Sequence, residues 1–337
     1  MPSPERLDCF MARANAAYYA ERDPFADFTT APEISQVFGE ILGLWAAVVW
    51  DSMGRPDPVL LAEAGPGRGT LIADALRAVA QVAPDFRRAL RLHLIETSPR
   101  LRAIQAGAVP EATWHEEAGS LPDGPLLLLG NEFLDALPIR QFVLRRGGWS
   151  ERYVDGGVFV EHPAPSAEAS ALFGIGCLEG AVIELRPSAS RLAAHLGTRI
   201  AAQGGAALFL DYGYERSGPG ETLQAVARGR PADPLFNAGS ADLTAHVDFR
   251  AFAEAARATG ATVHGPVPQG LVLARLGLFQ RTDRLARGKP PREAAAMIEA
   301  ARRLAEPDRM GRLFKAVAIC HPGLPVPPGF EPDPSSR

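Results

Sequence analysis

Three short stretches of this 337-residue chain combine residue types able to hold a small ligand and act on it. The first is Glu63-Ala64-Gly65-Pro66-Gly67-Arg68-Gly69. Gly65, Gly67 and Gly69 permit a sharp turn and a close approach of backbone to ligand that any Cβ would obstruct. Glu63 adds a carboxylate and Pro66 stiffens the turn. The spacing differs from the G-x-G-x-x-G that seats a pyrophosphate on a helix N-terminus, and no Gly-Lys-Ser/Thr follows to make a phosphate loop. The second is Glu96, at the end of the next apolar run, where an acid can accept hydrogen bonds from both hydroxyls of a ribose. The third is Asn131-Glu132-Phe133-Leu134-Asp135. If this segment turns helically, Glu132 and Asp135 stand at i and i+3 on one face, where two carboxylates can hold and orient a cation. The competing reading makes Asn131 a helix cap and the acids partners of the helix dipole. Downstream, Asp211 and Tyr212 either line an acceptor pocket or close a turn. His246 is either a general base or a structural histidine. Asp248 lies beside it near a plausible substrate entrance, but fits a helix N-cap better.

These residues fall where an α/β sheet would present them. Val59 to Ala62 is a short apolar strand that runs into the glycine loop, and a helix follows from Thr70 to Val82. Leu92 to Ile95 ends at Glu96, and a helix follows Pro99. Leu126 to Leu129 is unbroken leucine, as in a central parallel strand covered on both faces. Ala206 to Leu210 ends at Asp211. Alternating strand and helix signals predict an α/β fold with a mainly parallel sheet, and ligands of such sheets bind outside the carboxyl ends of the strands. Ahead of this core, Ile34, Val37, Phe38, Ile41, Leu42, Trp45, Val48 and Val49 form one helical stripe starting near Glu33. Thr30 and Glu33 have capping-box spacing, and Pro32 suits a first turn. Between Phe142 and Val160, Gly147-Gly148 and Asp155-Gly156-Gly157 separate short apolar runs, which predicts hairpins. A helix from Ser188 to Gln203 precedes the Ala206 strand. The stretch from Ser217 to Ala245 lacks periodicity and reads as one long lid or binding loop. A helix from Asp248 to Thr259, a strand near Thr262, a helix from Pro291 to Leu304 and a strand from Phe314 to Ile319 complete the reading. The expected division is an N-terminal helical cover (1–54), a core (55–141 and 181–320), a β-rich insertion (142–180) and a Pro-rich disordered tail (321–337).

Bulk properties exclude several classes. With a formal net charge of -4, there is no electrostatic reason to expect a nucleic-acid partner. Three widely spaced cysteines make neither a disulfide framework nor a metal site, which fits a reducing compartment. No apolar run nears the roughly 18 residues of a membrane span, and the start lacks the apolar core of a signal peptide. The expected location is the cytoplasm.

The glycine loop, read as E-x-G-x-G-x-G, resembles the first motif of class I methyltransferases. More specific are Asp27-Phe28-Thr29-Thr30-Ala31-Pro32-Glu33-Ile34-Ser35-Gln36, Asn131-Glu132-Phe133 with Asp135-Ala136-Leu137-Pro138, Leu210-Asp211-Tyr212-Gly213 and Ala241 to Phe249. Gln269-Gly270 and Met310-Gly311 with Phe314-Lys315 extend the match toward residue 320. Together these resemble the MidA-like methyltransferases, with a shortened Asp23–Asp27 segment and Ala26 where the family has Gly. The resemblance implies a class I, Rossmann-like mainly parallel sheet with a β-rich insertion and helical N-terminal and C-terminal additions. It implies S-adenosyl-L-methionine as cofactor, with Glu63 and the loop at its amino-acid end, and contacts from Asp27 and Thr30. It also implies methylation of arginine on a protein partner, a core subunit of respiratory complex I, and a mitochondrial matrix location for eukaryotic members. Glu132 is the expected catalytic carboxylate and Asp135 the second. Other readings are a methyltransferase for a small molecule or another side chain, a non-catalytic assembly chaperone on the same fold, and a nicotinamide oxidoreductase.

Overall fold

Leucine- and alanine-rich runs that never alternate with polar residues form the middle of the central sheet. The computed structural model describes residues 3–22, 29–172 and 176–332. The labelled strands are those of this sheet: β1 (Val59–Ala64), β2 (Leu90–Ile95), β3 (Thr113–His115), β4 (Leu126–Asn131), β5 (Gly205–Tyr214), β6 (Thr262–Pro268) and β7 (Phe314–Cys320). Their order is β6-β7-β5-β4-β1-β2-β3, with β7 antiparallel to both neighbours and the strands from β5 to β3 parallel. Every residue of β1 and β4 is buried, because helices cover both faces, and this removes the need for alternation. A two-residue strand, Val247–Asp248, pairs with the far end of β5.

Around the sheet lie α1 (Leu7–Glu21), α2 (Ala31–Ile34), α3 (Gln36–Ser52), α4 (Thr70–Val82), α5 (Pro99–Ala108), α6 (Pro187–Gln203) and α7 (Phe249–Arg257). Three more helices, α8 (Gln269–Arg275), α9 (Leu278–Ala286) and α10 (Pro291–Ala305), precede β7. The helical stripe near Glu33 is broken in two. Ser35 is extended and its side chain accepts from the Val37 amide, so it caps α3 and separates it from α2. The expected Thr30–Glu33 capping box is absent: Thr30 makes no side-chain cap bond. Gly39 and Gly43 let α3 lie directly on α4, for a Cβ at Gly43 would stand 2.7 Å from Ala75.

The β-rich region is a five-stranded sheet. Strands Arg140–Arg145, Gly148–Asp155, Val158–Pro163 and Val182–Leu185 are joined by the N-terminal strand Glu5–Arg6. The stretch read as one long loop instead contains a three-stranded sheet, Gln224–Ala227, Arg230–Ala232 and Asp242–Thr244. Its Ala225 and Leu243 share an apolar cluster with Leu7, Phe10 and Met11 of α1, an anchoring that local periodicity cannot reveal. The expected disordered tail is ordered through its first half. Phe330 is buried in the main core and the Gly329 carbonyl accepts from Arg275 Nη1 at 3.1 Å. No helix among the described residues is long and apolar enough to cross a membrane.

Candidate active site

A cavity of about 800 Å³ opens at the carboxyl ends of β1, β2 and β4. Its floor is the glycine loop. Gly65, Gly67 and Gly69 all adopt left-handed φ (64°, 55° and 80°), which favours glycine at each position. A Cβ on Gly65 would lie 2.8 Å from the Phe133 ring. Glu63 is 3% exposed and its Oε2 has no hydrogen-bond partner among the described residues, and burial pushes its carboxyl up to about 8, partly opposed by the Ile72 amide. Glu96 also lines the cavity. Its Oε1 accepts from the Ser98 amide at 2.8 Å and its Oε2 from Gln105 Nε2 at 3.2 Å, while burial raises its pKa. Gln105 Nε2 also donates to the Gly67 carbonyl, which ties α5 to the loop.

Glu132, just past the end of the neighbouring strand β4, lines the same cavity with a left-handed φ of 48°, rare for a residue with a Cβ. Such a conformation costs about 1–3 kcal/mol and persists only where its surroundings enforce it. Its Oε1 accepts from the Ala31 amide (3.0 Å) and Asn131 Nδ2 (3.1 Å), and its Oε2 takes no hydrogen bond from a described residue. Burial, reinforced by the charge of Asp135, raises its pKa to about 7. Asn131 Oδ1 is buried without a hydrogen-bond partner among the described residues. Above lie Thr30, Pro32 and Tyr19, whose hydroxyl donates to Asp242 at 2.8 Å. Glu33, also on the cavity, accepts from Thr70 Oγ1 at 2.5 Å, so α2 spans from the glycine loop to Glu132.

Thus Thr30, Glu63, Gly65, Pro66, Gly67, Glu96, Asn131 and Glu132 meet at one cavity, and Gly69 shapes its loop. Asp27 lies outside the described residues. The other expected site residues are elsewhere. The 131–137 segment is a bent turn rather than a helix, so Asp135 does not share a face with Glu132; its carboxyl is turned to the Tyr212 hydroxyl. Asp211 is 1% exposed and accepts from the backbone beneath the turn. Tyr212 packs edge-on against His246, which therefore stands outside the cavity. Asp248 caps α7 through the Ala251 amide at 2.9 Å. Tyr19 and Arg186 are absent from the sequence reading. The stripe Leu7, Phe10, Met11, Ala14 and Tyr18 marks α1, but nothing local marks Arg186.

The profile of a family of S-adenosyl-L-methionine-dependent methyltransferases matches residues 41–267. The chain belongs to this family. Its methyl donor is S-adenosylmethionine. A mitochondrial protein arginine methyltransferase NDUFAF7 homolog of Drosophila melanogaster is 34% identical, over 96% of this chain and 82% of that one. The human mitochondrial protein arginine methyltransferase NDUFAF7 is 31% identical over 90% and 76%. A Burkholderia thailandensis structure with bound S-adenosyl-homocysteine superposes with a TM-score of 0.80 at 28% identity, covering 96% of this chain and 89% of that one. The cavity suits the methyltransferase donor: among the described residues Glu63 Oε2 and Asn131 Oδ1 are buried polar atoms without a hydrogen-bond partner, and the left-handed glycines expose the loop backbone to the cavity.

Proposed function

We propose that this methyltransferase modifies a guanidinium nitrogen of arginine in a protein, and that Glu132 is the carboxylate that holds the guanidinium. The observation that carries this reading is Glu132 itself. One oxygen is fixed by Ala31 and Asn131, the other takes no hydrogen bond from a described residue, and the pKa lies near 7 at the cavity wall. The NDUFAF7 relatives, named for arginine methylation, support the same acceptor.

Glu63 and the 65–69 loop would hold the amino-acid end of S-adenosylmethionine, Glu96 its ribose hydroxyls, with Asn131 and Thr30 beside it. When bound, the donor supplies a methyl group on an electron-poor sulfonium. An arginine guanidinium has a pKa above about 12, so its neutral form is scarce. Glu132 therefore grips the cation, draws positive charge toward the nitrogens it contacts and orients the remaining one for attack. Such positioning can contribute roughly 7–11 kcal/mol. Once methylated, the guanidinium sheds its surplus proton from a nitrogen that Glu132 contacts, and Glu132, with its pKa near neutrality, accepts it on Oε2. The partner in this reading is a protein, with a core subunit of complex I the substrate to which the resemblance points, and the site of action is the cytoplasm.

The test uses donor carrying an isotopic methyl group and an extract of source cells from which the gene has been deleted. Mass spectrometry should find the label on arginine of few proteins. Label confined to lysine, another side chain or small molecules would refute the arginine assignment.

A further inference from the structure

We infer that Asp211 and Arg186, neither of which lines the cavity, are positioning residues that jointly hold the 132–137 turn in the conformation presenting Glu132. The inference rests on the role given to Glu132 above. Asp211 ends the continuous buried run of β5 and directs one carboxyl oxygen at three successive amides. Oδ2 accepts from Phe133 (3.0 Å), Leu134 (2.8 Å) and Asp135 (3.2 Å), while Oδ1 accepts from Tyr212 (2.9 Å). Arg186, just ahead of α6, grips the other end of the turn. It donates from Nε to the Leu137 carbonyl (2.9 Å) and from Nη2 to those of Asp135 (3.2 Å) and Ala245 (2.8 Å). Nη1 reaches the His246 carbonyl at 3.2 Å. The Asp135 residue is therefore held by its N–H on the Asp211 carboxyl and by its C=O on the Arg186 guanidinium.

Neither side chain forms an ion pair among the described residues; both turn to backbone groups, Asp211 to three amides of the turn and Arg186 to two of its carbonyls and to those of Ala245 and His246. The turn needs such restraint because Glu132 has a left-handed φ and only its Oε1 is tied to α2 and Asn131. Neutral or shorter replacements cannot reproduce the arrangement. An Asn at 211 has a single acceptor oxygen, so its NH2 must face either the three turn amides or the Tyr212 amide. A Lys at 186 keeps the charge but loses the fork that spans four carbonyls. Release of the turn would let Glu132 relax toward ordinary φ and let water reach its carboxyl, lowering its pKa.

The experiment is a carbon-13 NMR titration of the Glu132 carboxyl in the full chain, assigned with Glu132→Gln and repeated in Asp211→Asn and Arg186→Lys. Amide exchange at 133–135 and isotopic methyl transfer to the deletion-strain extract are read alongside. In both variants the Glu132 pKa should fall from near 7 to below about 6. Amides 133–135 should exchange at least about 100-fold faster while those of β4 keep their protection, and transfer should drop at least about tenfold. A carboxyl still near 7 with protected turn amides would overturn the inference, as would equal loss of protection throughout β4. If Asp211→Asn does not fold, Arg186→Lys decides on the same readings. Full transfer by Glu132→Gln would instead refute the role of Glu132 and leave the titration of the turn standing as a separate result.

Discussion

Glu63 carries a burial penalty that ligand binding can relieve. Its carboxyl is raised to about 8, so the fold favours the protonated form. A raised carboxyl pKa makes the folded state hold its proton more tightly than the unfolded chain does. Stability from this group is thus full below the unfolded value and declines as pH rises from about 4.5 to about 8. Each unit corresponds to about 1.4 kcal/mol, which sets the scale at a few kcal/mol. Glu63→Gln should raise the melting temperature of donor-free protein at pH 8 and leave it nearly unchanged at pH 5. The same variant should weaken donor binding by about tenfold or more, through loss of a buried charged partner. Thermal unfolding at both pH values and calorimetry check the two halves. Glu63, the glycines, Glu96 and Glu132 were legible because each sits at a strand end with its signal in adjacent residues. Asp211 gives a similar local signal, yet it supports a turn nearly 80 residues away in sequence, and only the fold reveals that partner. Asp135 was misplaced because the 131–137 segment bends at Glu132 instead of turning helically.

Among the elements, α2 has an influence beyond its four residues. Its first amide, that of Ala31, holds Glu132, and Glu33 two residues on holds Thr70 at the start of α4. Glu33→Gln and Thr70→Val should each weaken donor binding. A double-mutant cycle on that affinity should return a coupling of about 1 kcal/mol, whereas additive losses would mean that the Glu33–Thr70 bond is immaterial. The seat of this element depends on α3 lying close to α4. Gly43→Val must push against Ala75 and should destabilise the protein by about 1–3 kcal/mol in urea unfolding. The apolar stripe made α3 readable. The break at Ser35 was not, because a lone Ser inside a periodic run gives little warning that it will cap a second helix.

At the scale of the whole molecule, the parallel core followed from uninterrupted apolar runs and the 140–163 hairpins from their glycine pairs, whereas the 224–244 sheet and the ordered C-terminal segment did not. The sheet between 224 and 244 is made of strands of three or four residues, too short to show a period, and it is fixed by packing on α1. The C-terminal segment looked disordered from its prolines, yet Phe330 closes the core. Truncation after His321 should therefore lower the melting temperature, by an amount in keeping with the roughly 3–5 kcal/mol lost when a buried Phe is removed. Unchanged melting would show that the segment is dispensable. The core and its additions together set Glu132, a carboxyl of near-neutral pKa, on the same cavity as the glycine loop, and that arrangement is best tested by turnover as a function of pH. Single-turnover methyl transfer from saturating S-adenosylmethionine to deletion-strain extract would be compared between the parent and Glu132→Gln from pH 6 to 8.5. The parent rate should rise with pH through about 7 as Glu132 ionises. Glu132→Gln should be flat and on the order of 100-fold slower or more, with donor affinity within about threefold of the parent. Parent-like transfer by Glu132→Gln, with the same rise through neutral pH, would contradict the account.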